Sequence, residues 1–483
     1  MPRQAPAPEV SATEERSIAL FCSLMNEDSS IAKVADLLRA EAQRLGPGAK
    51  LRSSRELVRE LGVSPVTVSR AIARLTAEGR VITRPGSGAF AAPGRPESAQ
   101  ADSSWQTVAL GDRVVDDTGV AGLLAEPGDG VIPLTGGYLN AALRPVRELS
   151  AAAARAVRRP DAWALPPLSG LPELRRWFAA EVGASRNDVL VVSGGQAALS
   201  HAFRSLAAPG EPVLVETPTY PGALATAKMA GLRAVAVPVD KDGVRPELLA
   251  EAFAVTGARV FYCQPTLHNP TGATLTRERR EQVLAVARAA GAFIIEDDFS
   301  RYLGSGAPPP ALVSMDEHGT VVHVLSLSKI SAPSLRVAAL IARGPAARRL
   351  RASQVVESFF VARPLQETAL EFVTAPGWRR HLATVRREIG ERQRLLLAAL
   401  ARHLPAAEVH LVPHGGLHLW VRLPDETDEA ALVERAHRAG VLVSPGRIYY
   451  PAEPPGPRIR LTHTAPADHA ELTEGVIRLA STF

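Results

Sequence analysis

Between Asp188 and Ser328 the chain carries five short apolar runs, DVLVVSGG, EPVLVETP, RVFYCQP, AFIIEDDF and VVHVLSLS, with helix-length stretches between them. No other feature limits the fold as tightly. Apolar, largely β-branched runs without polar alternation are strands covered on both faces. Strands spaced by amphipathic segments need crossover connections, so the expected class is α/β with a doubly wound, mainly parallel sheet. The pattern extends from about Val131 to the C-terminus, giving a body over 131–483. Ahead of it lie a flexible tail over 1–25, a compact unit over 26–92, and a stretch of linker composition over 93–130 that begins PGRPESAQADSSWQ.

At 483 residues the chain is too long for one ordinary domain. It has no apolar run of about 18 residues and no apolar leader, which argues against a membrane span or a secretory signal. Cys22 and Cys263 are the only cysteines, too few for a disulfide framework or a thiolate zinc site. The twelve histidines have no metal-ligand spacing, so no metal is expected. These features describe a cytoplasmic protein. The net charge of +5 is unevenly placed: nine basic residues fall between Lys50 and Arg95, against Glu56, Glu60 and Glu78. Such an excess is either a phosphate-facing surface or a solvated basic face.

Inside that segment Ser53 and Glu56 have capping-box spacing and open a helix that stops at Gly62; Ser64 and Pro65 start another. Two helices joined by a short glycine turn read as a helix-turn-helix. On the second, Val68, Ala71, Ile72 and Leu75 recur at core spacing, which turns Thr67, Arg70 and Arg74 outward toward bases and phosphates. RVITRPGSGAFA then alternates around a Pro85–Gly88 tip, as a β-hairpin does. The whole stretch LRSSRELVRELGVSPVTVSRAIARLTAEGRVITRPGSGAF resembles the winged helix-turn-helix of GntR-type transcription regulators. The resemblance implies a double-stranded DNA operator as partner, contacted by Arg55, Ser64, Thr67 and Arg70 and by the wing at Gly86 and Gly88.

The chain has five lysines, and one of them, Lys329, follows the apolar run VVHVLSLS. Loss of water there lowers an amine's pKa and makes it a nucleophile; taken alone, the residue is better explained as a lysine snorkelling from a strand end. Other motifs accompany it. VVSGGQ sets Ser193, Gly194, Gly195 and Gln196 between a strand and a helix, where bare N–H groups suit a phosphate. ETPTYPG offers the Tyr220 ring, and HNPTG offers Asn269. IIEDDF sets Asp297 at the end of a buried strand, where a carboxylate needs a cation. Arg336 lies seven residues beyond Lys329 with a fork for phosphate.

In this order, from Gly170, Leu174 and Arg175 through GGLHLW to IRL at Ile459–Leu461, the motifs resemble the fold-type I aminotransferases. The resemblance implies a large part over about 165–345, a smaller α+β part over about 346–483, and pyridoxal 5'-phosphate as cofactor. It gives Lys329 the Schiff base, Asp297 the pyridine nitrogen, Asn269 the ring hydroxyl and Tyr220 the ring face. Gly195, Gln196, Ser326 or Ser328, and Arg336 would surround the phosphate, and Arg460 would meet an effector carboxylate. Two positions depart from the family. Phe299 and Ser300 stand where a tyrosine follows the pyridine-binding Asp, with Tyr302 just beyond. Leu165 stands where another tyrosine reaches the partner subunit's phosphate. Transamination is thus expected to be weaker than cofactor binding. A GntR-type head on such a body is the arrangement of the MocR-type regulators. That resemblance implies a homodimeric transcription regulator sensing pyridoxal phosphate, an amino acid or an amine. The alternative is an active aminotransferase carrying a DNA-binding module.

Overall fold

A computed structural model describes residues 30–92, 103–111 and 115–483. The expected tail over 1–25 lies outside the described residues, as do 93–102 of the expected linker. The chain divides into two compact units, Met1–Val114 and Val115–Phe483.

In the first unit α1 (30–45), α2 (Ser54–Leu61) and α3 (Pro65–Ala77) pack with a hairpin of β1 (Val81–Arg84) and β2 (Gly88–Ala91). The capping box forms: the Glu56 N–H donates to Ser53 Oγ at 3.3 Å, and the Ser53 N–H donates to the Glu56 carboxylate at 2.7 Å. Gly62 ends α2 at φ 63°, a left-handed conformation that favours glycine. Ser64 caps α3 by accepting from the Thr67 N–H at 3.1 Å. Leu38, Leu57, Val68, Ala71 and Leu75 share one core with Val81. The 3–4 spacing read along α3 is that core face.

The second unit opens with a helix, Thr118–Leu124, in a stretch whose composition reads as linker. β3 (Ile132–Pro133) follows. An eight-stranded sheet is then built from β4 (Val189–Val192), β5 (Pro212–Thr217), β6 (Arg233–Asp240), β7 (Gly243–Val244), β8 (Val260–Cys263), β9 (Phe293–Asp297), β10 (Val321–Ser326) and β11 (Ala338–Ile341). Its order is β4–β11–β10–β9–β8–β5–β6–β7. The run from β10 to β6 is parallel. β11 is antiparallel to both β10 and β4, and β7 is antiparallel to β6. Alternate strand residues feed two cores: Val191, Phe261 and Ile294 belong to one, and Leu190, Tyr262 and Ile295 to the other. This double burial is why the strands are continuous apolar runs.

A third core lies under a small antiparallel sheet of β12 (His418–Arg422), β15 (Arg458–Thr462) and β14 (Ser444–Pro445). β13 (Val441–Leu442) pairs with β3, so Ile132 and Leu134 belong to this core. The smaller part therefore draws on the beginning of the body as well as on 346–483. Backbone bonds fix this, with Ile132 N–H on Gly440 O and Leu134 N–H on Leu442 O, both at 2.8 Å. No helix among the described residues is long and apolar enough to cross a membrane.

Leu57 is fully buried in the first unit's own core. Leu57→Ala should destabilise that unit by about 2–5 kcal/mol. Hydrogen exchange should show α3 amides losing protection while those of β8 keep theirs.

Candidate functional site

Parallel strands that end on one side of a sheet leave a crevice outside their carboxyl ends. β4 runs into Ser193 and Gly194, and the helix Gly195–Leu206 starts there. Gly194 has φ 86°, and a Cβ on it would fall 2.6 Å from Arg336 Cζ. Glycine thus lets the guanidinium lie directly over the loop. Arg336 adopts φ 50° and ψ 43° and donates to Ser193 O at 2.9 Å. The unsatisfied N–H groups of a helix start together with a guanidinium form an anion cradle. Ser326, the last residue of β10, and Ser328 are both buried. The Ser328 N–H donates to Ser326 Oγ at 3.2 Å, whereas Ser328 Oγ is buried with no hydrogen-bond partner. The Gln196 side chain turns aside, its Nε2 donating to Gly222 O at 2.9 Å and Thr226 Oγ1 at 2.6 Å.

Lys329 lies beyond β10 with Nζ 3.7 Å from the centroid of the Tyr138 ring. Burial lowers its pKa to about 7, helped by Arg460 and Arg336 and opposed by Asp297. A large share of the amine is therefore unprotonated, and nucleophilic, at neutral pH. Asp297 ends β9 at 5% exposure. Tyr262 Oη and Gln264 Nε2 both donate to its Oδ2 at 2.8 Å. Burial pushes this carboxyl's pKa up while the two donors pull it down. A cation facing the carboxylate, such as a protonated ring nitrogen, completes the charge balance.

Tyr220 precedes the helix Pro221–Met229, and its ring lies so close to Gly222 that a Cβ there would sit 2.4 Å from Tyr220 Cζ. Its hydroxyl donates to Gln196 Oε1 at 3.2 Å. Asn269 is buried, and its Oδ1 accepts from Arg460 Nη1 at 3.1 Å. Arg460 stands on β15, donates to Gly136 O through Nη2, and keeps a buried Nε without a partner. The ten residues that the resemblance gives to cofactor and effector all line one cavity.

Three findings differ from the sequence reading or complete it. Tyr302 does not reach the cavity: it is buried with its hydroxyl on Glu181 Oε2 at 3.0 Å, while Phe299 lines the wall. Leu165 is 71% exposed and lies outside the lining. Thr67, expected to face outward, is 4% exposed, with Oγ1 2.8 Å from Ser64 Oγ. At the third position of α3 it joins the cap and turns into the head. Arg55, Ser64 and Arg70 are exposed, and so are Gly86 and Gly88, with φ 73° and 106°, at the wing tip. Part of the basic excess is paired within the head: Arg52 meets Glu41 and Glu60 at 2.9 and 2.8 Å, and Arg74 meets Glu78 at 3.2 Å.

The sequence reading missed Tyr138, Tyr262, Gln264 and His418, as well as Val120, Leu123 and Leu124 on the cavity wall. Tyr262 carried a faint signal, because it occupies one face of an otherwise apolar strand beside the Asp297 strand. Tyr138 and Gln264 sit in loops, His418 opens β12, and Val120, Leu123 and Leu124 lie in the linker-like stretch, where spacing says little about a site.

Residues 131–479 match the family described as aminotransferase class I and II, and residues 31–91 match the gntR family of bacterial regulatory proteins. The chain is 28% identical to the probable rhizopine catabolism regulatory protein MocR of Rhizobium meliloti, over 92% of each chain. It is 30% identical to the 2-aminoadipate transaminase of Thermus thermophilus, over 72% of this chain and 89% of that one. Among solved structures it is similar to LysN, the alpha-aminoadipate aminotransferase of Thermus thermophilus, complexed with N-(5'-phosphopyridoxyl)-L-leucine. The TM-score is 0.71 at 28% identity, covering 76% of this chain and 95% of that one.

The depressed amine can be checked without any cofactor. Reductive methylation with formaldehyde and cyanoborohydride, followed by peptide mass spectrometry across pH, should show Lys329 labelling rise through an inflection near 7. An ordinary lysine titrates near ~10.4.

Proposed function

The chain belongs to the aminotransferase class I and II family and, through its GntR-type head, to the MocR-type regulators; on that premise we propose that it senses pyridoxal 5'-phosphate together with an amino compound. Its DNA-binding head marks it as a regulator with an aminotransferase-like body. The observation that carries the proposal is the Lys329 amine, lowered toward 7 and held between the Gly194–Arg336 cradle and the buried Asp297. The residues fit the cofactor. Ser328 Oγ and the helix start suit its phosphate, and Arg336 adds positive charge. Asp297, steadied by Tyr262 and Gln264, suits a ring N–H, Asn269 lies within the same cavity, and Tyr220 offers a ring face. Bound there, pyridoxal phosphate supplies an aldehyde that condenses with amines and a ring that draws electrons. Arg460 suits a ligand carboxylate, so an amino acid is the favoured effector.

In this reading the protein is a cytoplasmic homodimer whose paired heads bind a two-part operator. Arg55, Ser64 and Arg70 meet the duplex with the wing at Gly86 and Gly88, and Thr67 supports the cap instead. A second reading, an active aminotransferase with a DNA-binding module, draws on the retained Lys329, Asp297 and Arg336 and on the similarity to a transaminase. Phe299, which has no hydroxyl to offer the ring, weighs against it. Sustained turnover of an amino donor and a keto acceptor would establish this second reading.

Borohydride reduction of the full chain incubated with pyridoxal phosphate should place the adduct on the peptide containing Lys329, and Lys329→Ala should abolish it. An adduct elsewhere, or none, removes the proposal. On a duplex selected by the wild-type chain, Arg70→Ala should weaken binding by about 1–3 kcal/mol if Arg70 reads a base. Gel shifts at fixed salt measure it.

A further inference from the structure

Resting on the reading of Lys329 as the amine that takes the cofactor, we infer that His381 is a positioning residue for Lys329: its ring donates the hydrogen bond that fixes the lysine's turn to the long helix Trp378–His403. Residues 327–331 form one tight turn with Lys329 at its centre. Leu327 O accepts from the Ile330 N–H at 3.3 Å, from the Ser331 N–H at 3.1 Å and from Ser331 Oγ at 2.7 Å. Those bonds close the turn on itself and leave the Ile330 carbonyl over. It accepts from His381 Nε2 at 2.6 Å, and among the described residues no other group donates to it. Ile330 is 1% exposed, so without His381 this carbonyl would lose its partner in a place poor in water. A carbonyl only accepts, which puts the ring proton on Nε2. Burial lowers the ring's pKa against the opposing pull of Ile330 O and Glu148, and the neutral Nε2–H form makes the bond at neutral pH.

The helix that bears His381 is placed to hold both sides of the crevice in register. Its first half puts Trp378, Val385 and Ile389 into the sheet core that contains Val191, and its second half puts Leu396, Ala399 and Leu400 into the core under the small sheet. Beyond His381 on the same helix, Arg386 Nε donates to Tyr302 O at 2.9 Å, and the Trp378 ring meets the Tyr302 ring edge-on at 5.5 Å. Tyr302 lies in the segment that follows Asp297. One rod thus grips the turn of the amine and the loop of the carboxylate. Packing is the competing explanation, because the His381 ring also lies 5.7 Å from Phe372 and 6.2 Å from Trp378. A phenyl ring would serve those contacts; only a donor serves Ile330 O. Burial is the largest cause of the low Lys329 pKa, ahead of Arg460, Asp297 and Arg336. A loosened turn lets water reach Nζ while those three charged groups stay, so the titration of the amine reports the state of the turn.

The test titrates Lys329 in the cofactor-free full chain by reductive methylation and peptide mass spectrometry. His381→Phe keeps the ring packing and removes the donor; His381→Gln keeps an amide N–H near the place of Nε2 and gives up the ring. In His381→Phe the labelling inflection should rise by at least about half a pH unit toward the ordinary lysine value. Amides 330–332 should exchange faster in that variant while those of β8 keep their protection. His381→Gln should stay with the wild type on both readouts. His381→Asn, whose amide stops short of Ile330 O, should follow His381→Phe and takes its place if the phenylalanine variant does not fold. An inflection unchanged in the variants without the donor, or moved as far by His381→Gln as by His381→Phe, overturns this inference and leaves the cofactor reading standing. The borohydride adduct on the wild-type chain tests that reading separately, and its absence overturns that reading whatever the labelling profile shows.

Discussion

The architecture of the pocket turns on the cost of enclosing one amine among two guanidiniums. Lys329 shares its cavity with Arg460 and Arg336, and both disfavour its protonated form. In water such a cluster would be screened; in a lined crevice it is not. Asp297 is the counterweight, and it is buried more deeply than the lysine. Tyr262 and Gln264 fix the carboxylate by donating to a single oxygen. The polar groups of the site thus depend on one another. Each is tolerable in the interior because another answers it, and an anion at the Arg336 end with a cation at the Asp297 end relieves both imbalances.

Much of this was legible from residue order because the fold attaches chemistry to strand ends. Asp297, Ser326 and Lys329 lie at or just past the ends of β9 and β10, and Gly195 opens the helix after β4. Apolar runs announce the strands, so the residues following them announce the crevice. Loop geometry is less transparent. Tyr138 and His418 come from the part of the body that builds the small sheet, and pairing between β3 and β13, far apart in sequence, brings the beginning of the body to it. Composition also misled: 115–124 reads as linker because Gly, Asp and Thr dilute its few apolar residues. Val120, Leu123 and Leu124 fall on one side of a short helix and line the cavity.

The head shows the same division between local and tertiary information. Caps are local, and Ser53, Glu56, Gly62 and Ser64 behave as their spacing says. Facing is partly tertiary. Thr67 stands four residues before core Ala71, at the border of the core face, and as a member of the cap turn its hydroxyl bonds Ser64 and its side chain closes inward. Charge behaves likewise. Counting basic residues identifies the excess, but the ion pairs of Arg52 and Arg74 withdraw part of it from any surface that faces phosphate.

The reversal of β11 has a geometric consequence for chemistry. Because β11 returns antiparallel beside β10, the segment joining them turns back at the crevice and never leaves it. Lys329 and Arg336 are the two arms of that one bend. Had β11 run the other way, its first residue would begin at the opposite rim, about 20 Å off for a six-residue strand. The guanidinium that now rests over Gly194 would have been carried to the far side of the molecule. A single inverted strand thereby couples the positions of two cationic side chains that line one cavity.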